Sequence, residues 1–182
     1  MIFHRTKLDD AWMIELEPYG DQRGFFARTM CRSEFAKRGL ISEYVQQNTS
    51  FSVRRGTLRG FHYQVRPHGE AKLVRCIRGA ILDVIVDLRE ASPSYLQHQA
   101  FELTDANRYQ LYVPPGFAHA FQTLSDDVEV CYLVSTPYHP QAERGLRYSD
   151  VRLGVEWPLP VTVLSEKDSA WPLIDDRRAP LY

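Results

Sequence analysis

The sequence predicts an all-β fold, a sandwich or a closed barrel. Three observations lead there. Short β-prone runs follow one another along most of the 182 residues. Turn signals rich in glycine, proline and aspartate separate them. Only one segment, 33–40, reads clearly as a helix. Short strands at close spacing with little helix between them belong to sandwiches and barrels, not to parallel α/β sheets.

In chain order, the run 11–17 is stopped by Gly20-Asp21. This first strand is expected to pair with a partner's sheet, which would cover an open edge. The helix SEFAKRGL follows, with Ser33 as its expected N-cap and Gly39 near its end. The run 44–52 ends at Arg55-Gly56, and 57–65 ends at Pro67-His68-Gly69. Runs 72–78 and 80–88 are split by Arg78-Gly79, and the second stops before Ser92-Pro93. Next come 96–103 and 108–113, the latter closed by Pro114-Pro115-Gly116. Runs 119–124 and 127–135 flank Ser125-Asp126-Asp127, and prolines 137 and 140 end the second. A last β-prone run covers 161–164, and Ser165 can cap a short helix near 165–170. No linker or repeat breaks the chain, so residues 1–182 read as one domain, with an extension from about 152 wrapped around it.

The charge is nearly balanced at −1, so no bulk field recruits nucleic acid or an acidic membrane. No apolar run approaches a membrane span, and the charged start MIFHRTKLDDAW lacks a signal-peptide core. A cytoplasmic protein is expected. Cys31, Cys76 and Cys131 are widely spaced and read as free thiols.

Chemistry concentrates in RRGTLRGFHYQVRPHGEAKLVRCIRG, residues 54–79. Strand alternation turns Phe61 and Tyr63 one way and His62 and Gln64 the other. Lys72 lies on the next run, and VPPGFAHAFQTL supplies His119. In a closed sheet, inward positions from several strands meet in one cavity. A histidine and a lysine there can form a proton-transfer site.

These two segments partly resemble the two motifs of the cupin jelly roll. Gly56, five residues and His62 fit the first, but Gln64 replaces its second histidine and Glu70 falls one position late. Pro114, Gly116 and His119 fit the second. A metal-dependent cupin dioxygenase would want two histidines and a carboxylate, and Gln64 and Glu70 speak against that class. No metal and no cofactor is expected.

The ordered blocks GDQRGFFART, YVQQNTS, RGTLRGFHYQ, AKLVRCIRGAILDVIVDLREASPSY, YVPPGFAHAFQTLSDD, STPYHPQAERGLRYSD, GVEWP and LSEKD resemble the dTDP-4-dehydrorhamnose 3,5-epimerase family over about residues 5 to 176. The resemblance implies a cupin-type jelly-roll β-barrel with a few short helices, acting as a homodimer. It further implies an epimerase working without a metal on nucleotide-diphosphate-linked 4-keto-6-deoxy sugars. His62 matches the family's base; an imidazole, with a pKa of about 6.5, suits proton abstraction near neutrality. Asp168 matches the carboxylate that orients it. Lys72 matches the lysine near the sugar O4, where an ammonium stabilises enolate charge. Tyr132 matches the acid on the opposite face, and His119 is a further sugar-site residue.

Arg23 and Arg59 match arginines that meet the diphosphate, suited by their guanidinium forks. Gln46 and Asn48 match polar contacts to nucleotide and phosphate. Phe26 and Tyr138 match positions that flank the base, and Lys167 is solvated or phosphate-facing. Arg28 stands where the family has a glutamate near the base. Arginine donates but cannot accept, so CDP or another nucleotide stands beside dTDP. A C3-only epimerase is the nearer alternative. A non-catalytic sugar-binding module is the more distant one, and the joint presence of His62, Lys72, Tyr132 and Asp168 disfavours it.

Overall fold

The computed structural model describes residues 1–176 and 182. Its strands in chain order are β1 (Ile2–Arg5), β2 (Trp12–Glu15), β3 (Tyr19–Asp21), β4 (Gly24–Phe26), β5 (Gln46–Ser52), β6 (Leu58–Gln64) and β7 (Lys72–Arg78). Then follow β8 (Ala80–Asp87), β9 (His98–Thr104), β10 (Gln110–Val113), β11 (Phe117–Thr123), β12 (Val128–Val134) and β13 (Glu143–Gly145). Two short helices, α1 (Arg32–Ala36) and α2 (Glu166–Ser169), complete it with a 3-10 turn at Ile174–Asp176.

Two antiparallel sheets form the body. One has the order β1-β2-β10-β7-β12-β5 and the other β13-β6-β11-β8-β9. Between them lie Val74, Leu111, Val113 and Val130 from the first sheet and Ile81, Ile85, Leu103 and Phe117 from the second. Alternation then turns the neighbouring residues outward. Outside the six-stranded sheet, Ile14, Leu73 and Tyr112 pack on Phe35 of α1. Outside the five-stranded sheet, Phe61, Tyr63, Val84 and Val86 are covered by Leu146, Leu153, Trp157 and Ile174 from the C-terminal segment. Each fully buried side chain of this kind contributes about 1.5–3 kcal/mol. A one-residue slip of β6 would expose Phe61 and Tyr63, so burial fixes which way His62 faces.

The expected strands are present together with β1 and β13, for which no run was expected, and four further differences stand out. The helix begins after Cys31, whose side chain makes no capping bond, so Ser33 is not the N-cap. The run 11–17 yields β2, an inner strand between β1 and β10, and the N-terminal strand at the edge of the sheet is β1. Residues 19–26, expected to hold only a turn, form the β3–β4 hairpin with Gln22 and Arg23 at its tip. The run 161–164 contributes only an isolated parallel bridge, Val163 to Thr57. The three cysteines are free. Among the described residues no helix is long and apolar enough to cross a membrane.

Candidate active site

Register places His62 directly opposite His119 on neighbouring strands of the five-stranded sheet. Lys72 pairs with Val134, and Tyr132 pairs with Asn48, on the six-stranded sheet. The two groups face one another across the interior. His62, Lys72 and Tyr132 together border two adjoining chambers. The larger, about 670 Å³, is also lined by Arg59, His119, Lys167 and Asp168. The smaller, about 310 Å³, is also lined by Gln46, Asn48, Gln64, Glu70, Tyr138 and Glu143.

The His62 Nε2 lies 2.5 Å from Asp168 Oδ1. Asp168 is 4% exposed and receives further bonds from the Gly60 N–H at 3.3 Å and the Trp171 indole at 3.3 Å. Burial alone would raise this carboxyl. The bonds and charge from His62 and the Gly60 amide outweigh it and hold the group below the usual carboxylate range. An ionised carboxylate only accepts, so Nε2 of His62 donates to it. In neutral His62 the other ring nitrogen, Nδ1, therefore carries the basic lone pair.

Local sequence explains this placement. Ser165 caps α2, accepting from the Asp168 N–H at 3.0 Å, which sets Asp168 in the first turn. Gly60 has φ +110, and a Cβ there would lie 2.5 Å from the His119 carbonyl oxygen. Only glycine lets the strand pass so close while its N–H reaches Asp168. At Gly145, opposite His62, a Cβ would lie 2.2 Å from the Trp171 ring.

Other side chains are tied down in turn. His119 Nε2 lies 2.8 Å from Oδ2 of the fully buried Asp83. Lys72 Nζ lies 3.1 Å from Glu70 Oε1. Arg59 is fixed by Ser52 Oγ at 3.1 Å and the Phe51 carbonyl at 3.0 Å. Glu143 holds Lys167 Nζ through both oxygens at 2.6 Å and accepts from the Tyr138 hydroxyl at 2.7 Å. Burial pushes Glu143 up, but these two partners bring it below its ordinary range. Lys167 is thus paired with a carboxylate at the rim, a partner its sequence position did not suggest.

Arg23, Phe26 and Arg28 do not line either chamber. The Arg23 side chain is 89% exposed and pairs with Asp21 at the hairpin tip. Arg28 pairs with Glu34 at 3.2 Å. Phe25 of the same hairpin lies under the Arg108 guanidinium and borders a cleft with Arg75 and Ile77. Lys72 and Val74 point inward, so Arg75 and Ile77 lie on the outer face of that sheet. The hairpin therefore sits on the far side of the sheet from the chambers of its own chain.

Asp83, Glu143 and Trp171 escaped the sequence reading. Asp83 had a signal, since a charge inside the apolar run AILDVIVDL is buried and needs a partner. Glu143 and Trp171 had none. Among the described residues no three His, Cys, Asp or Glu side chains converge as metal ligands.

The comparisons with known proteins show the family. The profile described as dTDP-4-dehydrorhamnose 3,5-epimerase matches residues 5–176. A protein of that name from Methanothermobacter thermautotrophicus is 43% identical over 99% of this chain and 97% of its own length. The crystal structure of the enzyme of that name from Elizabethkingia anophelis superposes with a TM-score of 0.95 at 37% identity, covering 98% of this chain and 99% of the other. That from Bacillus anthracis, solved with TDP and PPi bound, gives 0.92 at 38% identity over 95% and 99%. With the profile, the near-complete overlap and the jelly-roll body all in agreement, this chain belongs to the dTDP-4-dehydrorhamnose 3,5-epimerase family.

Proposed function

We propose that this protein, acting as one domain in the cytoplasm, inverts C3 and C5 of a dTDP-linked 4-keto-6-deoxy sugar by acid/base enolisation. The observation that carries this reading is the His62–Asp168 dyad opening onto a cavity shared with Lys72 and Tyr132. The hydrogens on C3 and C5 are acidic because each carbon adjoins the C4 carbonyl. Nδ1 of His62 removes one of them, and Asp168 stabilises the imidazolium that forms. The negative charge passes to O4, where the Lys72 ammonium stabilises it. Tyr132 stands on the facing sheet, so its phenol returns a proton from the other side of the ring, and the carbon is inverted. His119, held by Asp83, is available to the sugar oxygens.

Arg59, Gln46, Asn48, Tyr138 and Lys167 line the chambers and suit a nucleoside diphosphate. The relative from Bacillus anthracis binds TDP, which supports dTDP as the carrier. Arg23 and Phe26 on the hairpin, and Arg28 just after it, serve the nucleotide end of a second copy's site in a homodimer, since none of them lines the chambers of its own chain. The test is incubation with dTDP- and CDP-linked 4-keto-6-deoxyglucose in deuterated water, followed by NMR. Deuterium at C3 and C5 with inversion at both is expected for the dTDP sugar. Inversion at C3 alone would make it a C3-only epimerase, and absence of exchange would overturn the reading.

A further inference from the structure

We infer that Glu70, held in place by Gln64, is the positioning residue that aims the Lys72 ammonium into the sugar chamber. This rests on the reading that Lys72 stabilises the enolate oxygen. All three side chains line the smaller chamber. Glu70 uses its two oxygens differently. Oε1 lies 3.1 Å from Lys72 Nζ, and Oε2 accepts from Gln64 Nε2 at 3.2 Å. The Glu70 and Lys72 side chains are only 12% and 14% exposed.

Gln64 is itself locked. Its Oε1 accepts from the His139 N–H at 2.6 Å. Its Nε2 also faces the carbonyls of His68 at 3.2 Å and Pro137 at 3.3 Å. A donor on one side and acceptors on the other dictate the amide's orientation. Gln64 is 3% exposed and has no freedom to turn toward a substrate. It joins the loops on either side of the site and presents a fixed N–H to Glu70.

The physical need is clear. A lysine is a point charge on a flexible four-carbon stem. Sheltered from water, it requires a counter-charge, and stabilisation of an oxyanion requires a donor already aimed before charge develops. Glu70 meets both needs. These are the two positions where the cupin motif has, or nearly has, metal ligands. Here they bond to each other and to an ammonium.

The experiment compares Glu70→Gln, Lys72→Met and the double variant with the parent enzyme on the dTDP-linked 4-keto sugar. Rates of C–H exchange, kcat, KM and thermal unfolding are measured. Glu70→Gln keeps the size but loses the charge and one of the two acceptor oxygens, so it can accept from Gln64 or from Lys72 but not from both. Its kcat is expected to fall roughly 10- to 100-fold, as for a slightly misplaced catalytic group, with KM nearly unchanged. In the Lys72→Met background the same substitution is expected to cost nothing further, because Glu70 would act only through Lys72. A Glu70→Gln enzyme as fast as the parent, or faster, would overturn the inference, since its charge would then merely oppose the enolate. An equal loss in the Lys72→Met background would also overturn it, by assigning Glu70 to loop structure. A parent that exchanges no hydrogen, or an unimpaired Lys72→Met, would instead sink the functional reading on which the inference rests.

Discussion

Removal of the imidazole at position 62 separates chemistry from binding. His62→Ala is expected to lose ~10²–10⁴ in both exchange and inversion, the usual worth of a general base. Affinity for the nucleotide is expected to stay near the parent's, because the Arg59, Gln46 and Asn48 side chains are untouched. Binding of dTDP by calorimetry, beside exchange by NMR, checks the split; near-normal exchange would remove His62 from the role. Tyr132→Phe tests the opposite face. His62 can still form the enolate there, and the proton returns mostly to its original side. Exchange is therefore expected to survive better than inversion, and equal loss of both would mean that Tyr132 acts in enolisation or positioning. His62, Lys72, Tyr132 and Asp168 were legible because motif blocks surround them. Glu143 was not, because a rim carboxylate is recognised only by partners 5 and 24 residues away, Tyr138 and Lys167.

Elements place these side chains, and the four-residue helix α2 shows how much rests on a cap. Ser165 holds the first turn, and that turn carries Asp168 beneath His62. Ser165→Ala is expected to cost about 1 kcal/mol of stability. It is also expected to lower the exchange rate more than so small a destabilisation explains, since Asp168 loses its fixed seat. Thermal unfolding and the exchange rate, measured on one preparation, decide this; an unchanged rate would show that Gly60 and Trp171 hold Asp168 without the cap. The helix and its cap were readable from LSEKD, because capping is local chemistry. The β1 and β13 strands were not, being short and defined by their neighbours: Phe3 faces Ile14, and Gly145 faces His62. Ser33 was a reasonable cap by type, yet the cap falls two residues earlier, at Cys31, with the Glu34 and Phe35 amides bonded to its carbonyl.

The molecule as a whole has a predictable response to acid. Burial raises the Asp87 carboxyl, but bonds from Arg89, Ser92 and Ser94 prevail and hold it below its ordinary value. Asp168 is depressed in the same sense. A group depressed on folding contributes stability that is complete above its unfolded pKa, about 3.9 for aspartate, and is lost as pH falls toward the folded value. Unfolding free energy is thus expected to drop as pH is lowered through about 4. Asp87→Asn is expected to be less stable at pH 7 but to lose less over that interval; an unaltered slope would acquit Asp87.

An all-β sandwich or barrel with a wrapped C-terminal extension was readable from run lengths and turns. The destination of the hairpin was not, because its exposed residues Tyr19 and Phe26, 77% and 71% accessible, find little to pack on within their own chain. If a homodimer exchanges hairpins between sites, each cavity uses His62 of one copy and Arg23 of the other. Take His62→Ala and Arg23→Ala chains, each nearly inactive alone, and refold them together in equal amounts. In a mixed dimer one site receives both lesions and the other receives neither. Random pairing then leaves about a quarter of all sites intact in a two-fold dimer. If each hairpin served its own cavity, every site would carry at least one lesion and mixing would restore nothing. Recovery of about a quarter of the parental rate is therefore expected, and a mixture no faster than its components would return Arg23 to the surface of its own chain.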